Sequence, residues 1–588
     1  MAKYQTYKLT HAEKIQYESL CNDSDLKTIP RKVIKILFNR GIRTKEEILM
    51  TLFGKINNLH DVPMRDSKEF CERLKSALEN KEHVVVMGDY DTDGCMSTCV
   101  MVEALRILGF KVDYYMNSRF KDGYGLKVSS VNEIIKRFPN IKIIVTVDNG
   151  IKSFEAVDYC NSKGIDVLIT DHHNTADVIP NAYAVVDPKR KDCLYPFEGL
   201  CGAGVAWKLM QKLCSILYPT DVIKRIIIKD LIWLVGIATV GDQVPLVNEN
   251  RIIVKETLKR FNDPSCINKI KFMKMLKDAL EIEHFDSDTI GFYISPMINA
   301  MGRIEGNPLQ IVDAIISNDD YSINTIILKM KSLNEVRREQ TESQLKEALT
   351  LLEDDEPNSK AILVYSRNFT EGIIGIVAGR LVDKFHKPVI VLCPNEDGSF
   401  KGSCRSIEGI SIEGVLNSLS NYLVNFGGHD MAAGLTIEES NIEIFKEKFL
   451  GLCGLFRDDL YEDIIKIDLV MKEEDINLSI CELIKELGPY GNSFPKVRVM
   501  LKDYLIDMEK SVKNKAGSVY VGKEAKTLRL VGDKGLVSIG FKCAEKYKRI
   551  GEPKMISCAG QPNINEFNGK QYPQFVIEND YIVNVKRS

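Results

Sequence analysis

Apolar side chains recur at helical spacing through residues 1–80, with almost no strand-like alternation. The pattern changes at Lys81. Residues 83–87 (HVVVM) form a β-branched run that enters a Gly/Asp-rich turn, and a helical pattern follows over 96–108. The unit then recurs. Residues 141–147 run into Asp148-Asn149-Gly150, 167–170 into Asp171-His172-His173, and 182–186 into Asp187-Pro188, with helical patterns at 129–137 and 153–162 in the intervals. Strands alternating with helices in this way predict a parallel sheet covered by helices on both faces. A charged helical stretch at 322–352 leads into an acidic, Pro-containing boundary at 353–359. A second α/β segment follows, with strands at 361–365 and 388–392 around a helix at 373–385. Beyond about residue 456, short alternating runs at 496–506, 527–531, 537–541 and 574–577 predict a small all-β barrel. The expected partition is therefore 1–80, 81–321, 322–358, 359–455 and 456–588.

A chain of 588 residues is too long for one core, and 44% hydrophobic with 27% charged residues is a globular composition. The net charge of −3 gives no global sign of a nucleic-acid or anionic-surface binder. Charge is nevertheless segregated: residues 496–550 hold fourteen Lys or Arg against six Asp or Glu. Lys513, Lys515, Lys523, Lys526 and Arg529, interleaved with Tyr504, Tyr520, Phe541 and Phe567, suit a groove that tracks phosphates and stacks bases. The longest apolar run, 231–240, is bounded by Asp230 and Asp242 and is too short to span a bilayer. Fifteen cysteines without a C-x-x-C pair read as reduced core residues of a cytoplasmic protein. No G-x-x-x-x-G-K-[ST] run is present, which disfavours an ATP-driven motor.

In an open parallel sheet the strand-to-helix loops emerge at the carboxyl edge, where ligands bind. Here those loops carry Asp89, Asp91, Asp93, Asp148, Asp171, His172 and His173, and Asp242 closes the apolar run. So many carboxylates cannot share one buried edge unless cations neutralise them, and oxygen ligands with one or two imidazoles suit Mn2+ or Mg2+. The Asp89-x-Asp91-x-Asp93-Gly94 run imitates half of a calcium loop, but Val100 occupies the position where that loop needs a bidentate Glu.

The motifs together resemble the DHH phosphoesterases and, within them, the RecJ-type single-strand-specific exonucleases. GDYDTDG at 88–94, TVDNGI at 146–151, TDHH at 170–173 and TVGDQVPL at 239–246 carry the first likeness. NSRFKDGYGL at 117–126, GLCGAGVAWK at 199–208, PMINAMGRI at 296–304 and LNEVRREQ at 333–340 extend it. EGIIGIVAGRL at 371–381, KGSCRS at 401–406 and FGGHDMAAG at 426–434 resemble a DHH-associated domain, and GPYGNSFP at 488–495 with NEFNG at 565–569 an oligonucleotide-binding barrel. One departure is Phe369-Thr370-Glu371-Gly372, where relatives commonly place a histidine.

The resemblance implies an α/β protein: a parallel-sheet DHH domain, a second α/β DHH-associated domain and a C-terminal OB-fold β-barrel. It implies Asp91, Asp93, Asp148, His172 and Asp242 as ligands of two divalent cations, Mn2+ or Mg2+. Asp89 and His173 would lie just outside the ligand set or touch substrate, His173 counting among the catalytic residues. Arg119, Arg303, Ser403 and Arg405 would hold phosphate, with Gly427, Gly428 and His429 as a loop whose backbone approaches it closely. The activity implied is 5′→3′ hydrolysis of single-stranded DNA to 5′-mononucleotides in recombination and repair, by a cytoplasmic monomer partnered with single-strand-binding protein and a RecQ-type helicase. Two alternatives are a DHH phosphodiesterase acting on short oligoribonucleotides or cyclic dinucleotides, and a non-catalytic replication scaffold.

Overall fold

The computed structural model describes residues 3–353, 359–514, 516–522 and 524–584. Most of the acidic boundary at 353–359, together with Lys515 and Lys523, lies outside the described residues. The chain divides into two compact units, Leu59–Pro245 with Glu249–Glu462, and Met1–Asn58 with Leu246–Asn248 and Asp463–Ser588.

The Leu59–Glu462 unit contains a five-stranded parallel sheet. Its strands are β1 (His83–Gly88), β2 (Lys111–Met116), β3 (Ile141–Val147), β4 (Asp166–Thr170) and β5 (Ala184–Val186), in the order β2-β1-β3-β4-β5. The expected strands are present, and β2 is an addition. It is an edge strand whose apolar residues are interrupted by Lys111 and Asp113, so it lacks the continuous β-branched run of a central strand. Helices Val128–Arg137 and Phe154–Ser162 bury Val131, Ile134, Val157 and Cys160 against Val85, Met87, Ile144 and Ile169 of one sheet face. Three further helices matter for the site: α1 (Thr92–Ile107), α2 (Gly202–Leu217) and α3 (Ile232–Gly241). The run expected to be too short for a membrane is α3, buried throughout Ile232–Thr239. Among the described residues no helix is long and apolar enough to cross a membrane.

Within the same unit, α4 (Asp320–Glu353) precedes a mixed sheet. Its strands β6 (Ile362–Tyr365), β7 (Val389–Pro394), β8 (Phe400–Arg405), β9 (Asn425–His429) and β10 (Ala432–Ile437) are ordered β9-β10-β8-β7-β6, and α5 (Glu371–Phe385) follows β6. Only β6 and β7 are parallel. Gly427, Gly428 and His429, expected in a loop, are the end of edge strand β9. The register pairs Gly427 with Gly434 and Gly428 with Ala433, so small residues face each other and the turn falls at Asp430-Met431.

In the other unit a seven-stranded sheet runs in the order Leu469–Met471, Val499–Leu505, Met555–Phe567, Lys570–Asn584, Val537–Gly540, Thr527–Val531 and Tyr520–Val521. Val499, Leu501, Leu528, Leu530, Ile556 and Phe575 share one core with Val33, Ile36, Leu37 and Phe38 of the N-terminal helices. Tyr504 belongs to this core and not to a stacking surface: it is fully buried, and its hydroxyl donates to the Leu536 carbonyl at 2.7 Å. Phe541 and Phe567 are exposed. Lys526 pairs with Glu524, and Arg529 donates to the Ser511 carbonyl at 3.0 Å. The helical reading of 1–80 also omits a strand, Lys3–Thr6, whose parallel partner Ile464–Ile467 lies far away in sequence.

Arg40 ties the N-terminal helices to this sheet. It makes a bidentate pair with Asp468 at 2.8 and 2.8 Å, donates to the Pro495 carbonyl at 2.7 Å and lies 4.8 Å from the Phe494 ring centroid. Both charged side chains are 11% exposed. Arg40→Ala therefore strands a carboxylate in a nearly dry place, and the expected cost is ~3 kcal/mol of stability. Urea unfolding of the full chain measures it, and a loss below ~1 kcal/mol, the size of a surface pair, contradicts this account.

Candidate metal centre

The sheet order reverses at β1, flanked by β2 and β3, and a crevice opens at the carboxyl edge of such a reversal. The acidic turn after β1 is itself the start of α1: Asp91 Oδ1 accepts from Gly94 N at 3.0 Å and caps the helix. A Cβ on Gly94 would stand 2.3 Å from the Asp89 carbonyl oxygen, so only glycine lets the turn close. Asn299 Oδ1 accepts from Thr92 N at 3.0 Å and fixes the same turn. Asp93, wholly buried, accepts from Gly202 N at 2.6 Å and Ala203 N at 2.9 Å in the first turn of α2, and from Ser97 Oγ at 3.1 Å. Gly202 is needed for a second reason: a Cβ there would meet the Asp148 Cβ at 2.7 Å.

Asp148 follows β3 in the left-handed region, at φ +61°, a conformation costing a non-glycine residue ~1 kcal/mol. Asn149 beside it donates to the Val147 carbonyl at 2.9 Å and the Met87 carbonyl at 3.3 Å. After β4, His172 places Nε2 at 3.1 Å from Asp148 Oδ1 and at 3.6 Å from both Asp93 Oδ2 and Asp242 Oδ2. Asp242 stands at the C-terminus of α3, unlike the other acids.

These side chains fall into overlapping groups. Ligand atoms of Asp93, His172 and Asp242 lie within 4.8 Å of one another, as do those of Asp89, Asp91 and Asp148, and those of Asp148, His172 and His173. Burial, reinforced by neighbouring carboxylates, pushes Asp89, Asp148 and Asp242 well above the usual carboxylate range and Asp93 up to about 6. Burial and then the His173 charge lower His172 to about 3, so its imidazole is neutral. His172 Nε2 and Asp148 Oδ1 are buried without a hydrogen-bond partner. A neutral imidazole and several carboxylates converging with unmet acceptors are a donor set for divalent cations of the Mn2+ or Mg2+ type. His173 behaves oppositely. Burial lowers it, but its Nδ1 donates to Asp171 Oδ1 at 2.7 Å and the carboxylate raises it to about 9.

The same cleft, 360 Å3 in volume, is lined by Asp89, Asp91, Asp148 and Asp242 together with Arg119 and Arg303. Burial, followed by the charges of Arg119, Arg337 and Arg405, lowers Arg303 to about 10. Arg119 lies over the Tyr90 ring at 5.1 Å, Arg303 Nη1 donates to the Gly372 carbonyl at 3.2 Å, Arg337 Nε to Asn334 Oδ1 at 3.1 Å and Arg405 Nη1 to Ser403 Oγ at 3.1 Å. None of the four makes an ion pair among the described residues. Four guanidinium groups without carboxylate partners are a standing positive potential suited to phosphate.

Residues 83–239 match the DHH family N-terminal domain, 358–454 the DHHA1 domain and 467–579 the RecJ OB domain. The single-stranded-DNA-specific exonuclease RecJ of Bacillus subtilis is 32% identical over 93% of this chain and 67% of its own length. The RecJ of Dickeya dadantii is 31% identical over 94% of this chain and 96% of its own length. The chain belongs to the RecJ exonuclease family. The crystal structure of RecJ in complex with Mn2+ from Thermus thermophilus has the same fold, with a TM-score of 0.81 at 23% identity over 100% of this chain and 80% of that one.

Set against the RecJ resemblance, Asp91, Asp93, Asp148, His172 and Asp242 do converge. Asp89 is not peripheral in geometry, since its carboxylate groups directly with Asp91 and Asp148. Arg119 and Arg303 line the cleft, and the charge of Arg405 reaches both. Ser403 shares a face of β8 with Arg405. His429 Nδ1 lies 3.4 Å from Asn174 Nδ2 in the loop after β4, while Gly427 and Gly428 continue along the strand. Tyr124, whose hydroxyl lies 3.0 Å from His173 Nδ1, was not among the expected site residues, nor were Asn299 and Arg337. All three fall inside runs that carried the resemblance, so the signal was present without a chemistry attached.

In EDTA, Asp93 has a folded-state pKa above its unfolded value, so its stabilising contribution is present below about pH 4 and is lost as pH rises through about 6. Relative to the parent chain, Asp93→Asn should therefore improve by ~2 kcal/mol between pH 4 and pH 7, on top of the pH-independent cost of turning an amide NH2 toward Gly202 N or Ala203 N. Urea unfolding in EDTA at both values measures it. A stability difference between variant and parent that is flat or moves against the variant as pH rises contradicts the buried-acid account.

Proposed function

We propose that this chain hydrolyses single-stranded DNA from its 5′ end with two divalent cations, Mn2+ or Mg2+, and releases 5′-mononucleotides. Exonuclease activity on single-stranded DNA follows from membership of the RecJ family; polarity, product and residue roles are the additional reading. One observation carries it: three overlapping ligand groups, linked through Asp148 and His172, lie at the cleft that Arg119 and Arg303 also line.

Asp93, His172 and Asp242 would hold one cation and Asp89, Asp91 and Asp148 the other, Asp148 standing 3.1 Å from His172 and so within reach of the first. Bound there, the cations supply positive charge that activates a water and stabilises the phosphate oxygens during in-line displacement. His173, held by Asp171 and close to Tyr124, would steady the scissile phosphate with its own charge. Arg119, Arg303, Arg405 and Ser403, with Arg337 behind them, would fix the terminal phosphate and set the distance from the chain end to the bond cut. His429, exposed beside Asn174, would contact the adjoining backbone. In the second unit, exposed Phe541, Phe567 and Tyr572 are aromatic side chains available for stacking. The cellular setting that fits is recombination and repair in the cytoplasm, with a RecQ-type helicase and single-strand-binding protein supplying the strand.

Digestion of end-labelled single-stranded DNA, duplex DNA and short RNA tests this. Stepwise loss of mononucleotides from a 5′-phosphorylated DNA strand is expected, with a rate drop of at least ~10^3-fold for Asp148→Ala. Arg303→Ala should raise KM more for a 5′-phosphorylated than for a 5′-hydroxyl strand. Preferred cleavage of short RNA, or full activity in Asp148→Ala, contradicts the proposal.

A further inference from the structure

Asn250 stands in the first turn of helix Asn248–Asn262, wholly buried and apart from the residues that line the metal cleft. Its amide is used unevenly. Nδ2 donates to two carbonyls, Gly199 at 2.5 Å and Pro245 at 3.0 Å, while Oδ1 is buried without a hydrogen-bond partner among the described residues. A buried amide with an idle acceptor carries a desolvation cost, so its placement is explained by the two carbonyls that its donor holds.

Both carbonyls lie on segments that deliver cation ligands. Pro245 is in the loop that leaves α3 after Asp242. Gly199 is in the loop that enters α2, where Gly202 N and Ala203 N hold the Asp93 carboxylate. In that same loop the Leu200 backbone adjoins the His172 ring, and Cys201 Sγ lies 3.5 Å from Thr239 Oγ1 of α3. Asp93, His172 and Asp242 form one ligand group, and a single side-chain amide spans the two backbone segments that meet around it. Glu249 reinforces the bracket. Also wholly buried, its Oε1 accepts from Lys208 Nζ of α2 at 2.8 Å and from His60 N at 2.6 Å.

We propose that Asn250 is a positioning residue for the cation held by Asp93, His172 and Asp242, its amide fixing the loop after Asp242 against the loop into α2 so that the ligand atoms stand ready before the ion arrives. This rests on the two-cation reading given above. Size-matched replacements separate the donors from the bulk: leucine leaves both carbonyls unbonded, and aspartate turns an acceptor toward them. Without the bracket the ion itself has to draw the two segments together, which lowers its affinity. Asp89, Asp91 and Asp148 are carried by the turns after β1 and β3, which receive no hydrogen bond from Asn250 among the described residues, so the other cation keeps its affinity.

Titration of the full chain with Mn2+, followed by electron paramagnetic resonance of the free ion, tests this. The parent should bind two ions, and Asn250→Leu and Asn250→Asp should hold one of them at least tenfold more weakly and the other within about twofold of the parent. Thr257→Val, which removes a buried hydrogen bond from the same helix to the Ile232 carbonyl at 3.1 Å, should leave both affinities unchanged. On single-stranded DNA at limiting Mn2+ the Asn250 variants should lose at least tenfold in kcat with KM for the strand unchanged, and excess Mn2+ should restore the rate. The proposal is overturned, with the two-cation reading intact, if the variants keep both affinities, if both ions weaken equally, if Thr257→Val weakens the same ion as much, or if excess Mn2+ restores nothing. Failure of both Asn250 variants to melt cooperatively in EDTA also overturns it, because the residue then serves folding. A parent chain that binds fewer than two ions overturns the two-cation reading and this proposal together.

Discussion

Five carboxylates, those of Asp89, Asp91, Asp93, Asp148 and Asp242, are held around one buried imidazole at the edge of a parallel sheet. Burial raises four of them, Asp89, Asp93, Asp148 and Asp242, above the ordinary carboxylate range. The rest of the first unit supplies the restraints that keep the cluster together. Backbone donors at the start of α2 hold Asp93, Asn299 holds the turn that carries Asp91, and Asn149 locks the left-handed residue Asp148. Glycines at 94 and 202 let backbone and helix end come closer than any side chain would allow.

Such a cluster is costly in isolation and is resolved by divalent cations. The arginines pose the reverse problem nearby. Arg303 is desolvated among Arg119, Arg337 and Arg405, a repulsion that the Asp91 charge only partly offsets, and a phosphate group answers that need. Carboxylates that call for cations and guanidinium groups without ion-pair partners among the described residues line one cleft, an arrangement that suits the proposed substrate: a phosphodiester at the cations and a terminal phosphate at the guanidinium groups. A chain-end nuclease is the economical reading of that arrangement.

The sequence disclosed this centre better than it disclosed the fold around it. The acids after β1, β3 and β4 were legible because strand ends in a parallel sheet converge, so order along the chain becomes proximity in space. Asp242 arrives instead from the end of a buried helix, a position that periodicity alone does not connect to a sheet edge. Strands β2 and Lys3–Thr6 were missed because one is a half-exposed edge and the other is made by pairing with residues more than four hundred positions away. Gly427 and Gly428 read as a loop because glycines usually mark one; in the strand a Cβ on Gly428 would stand 2.4 Å from the Ala433 Cα, whereas one on Gly427 would meet open space. Tyr504 looked like a base-stacking aromatic, but it faces inward to the barrel core and its hydroxyl is satisfied there.

The most direct measurement is anomalous diffraction at the manganese edge from crystals of the full chain grown with Mn2+. Two peaks about 3.5–4 Å apart are expected, both within bonding distance of Asp148, one also bound by His172 and Asp242 and the other by Asp91. A single peak, or a pair of peaks away from Asp148, would contradict the account of a carboxylate cluster assembled to hold two cations.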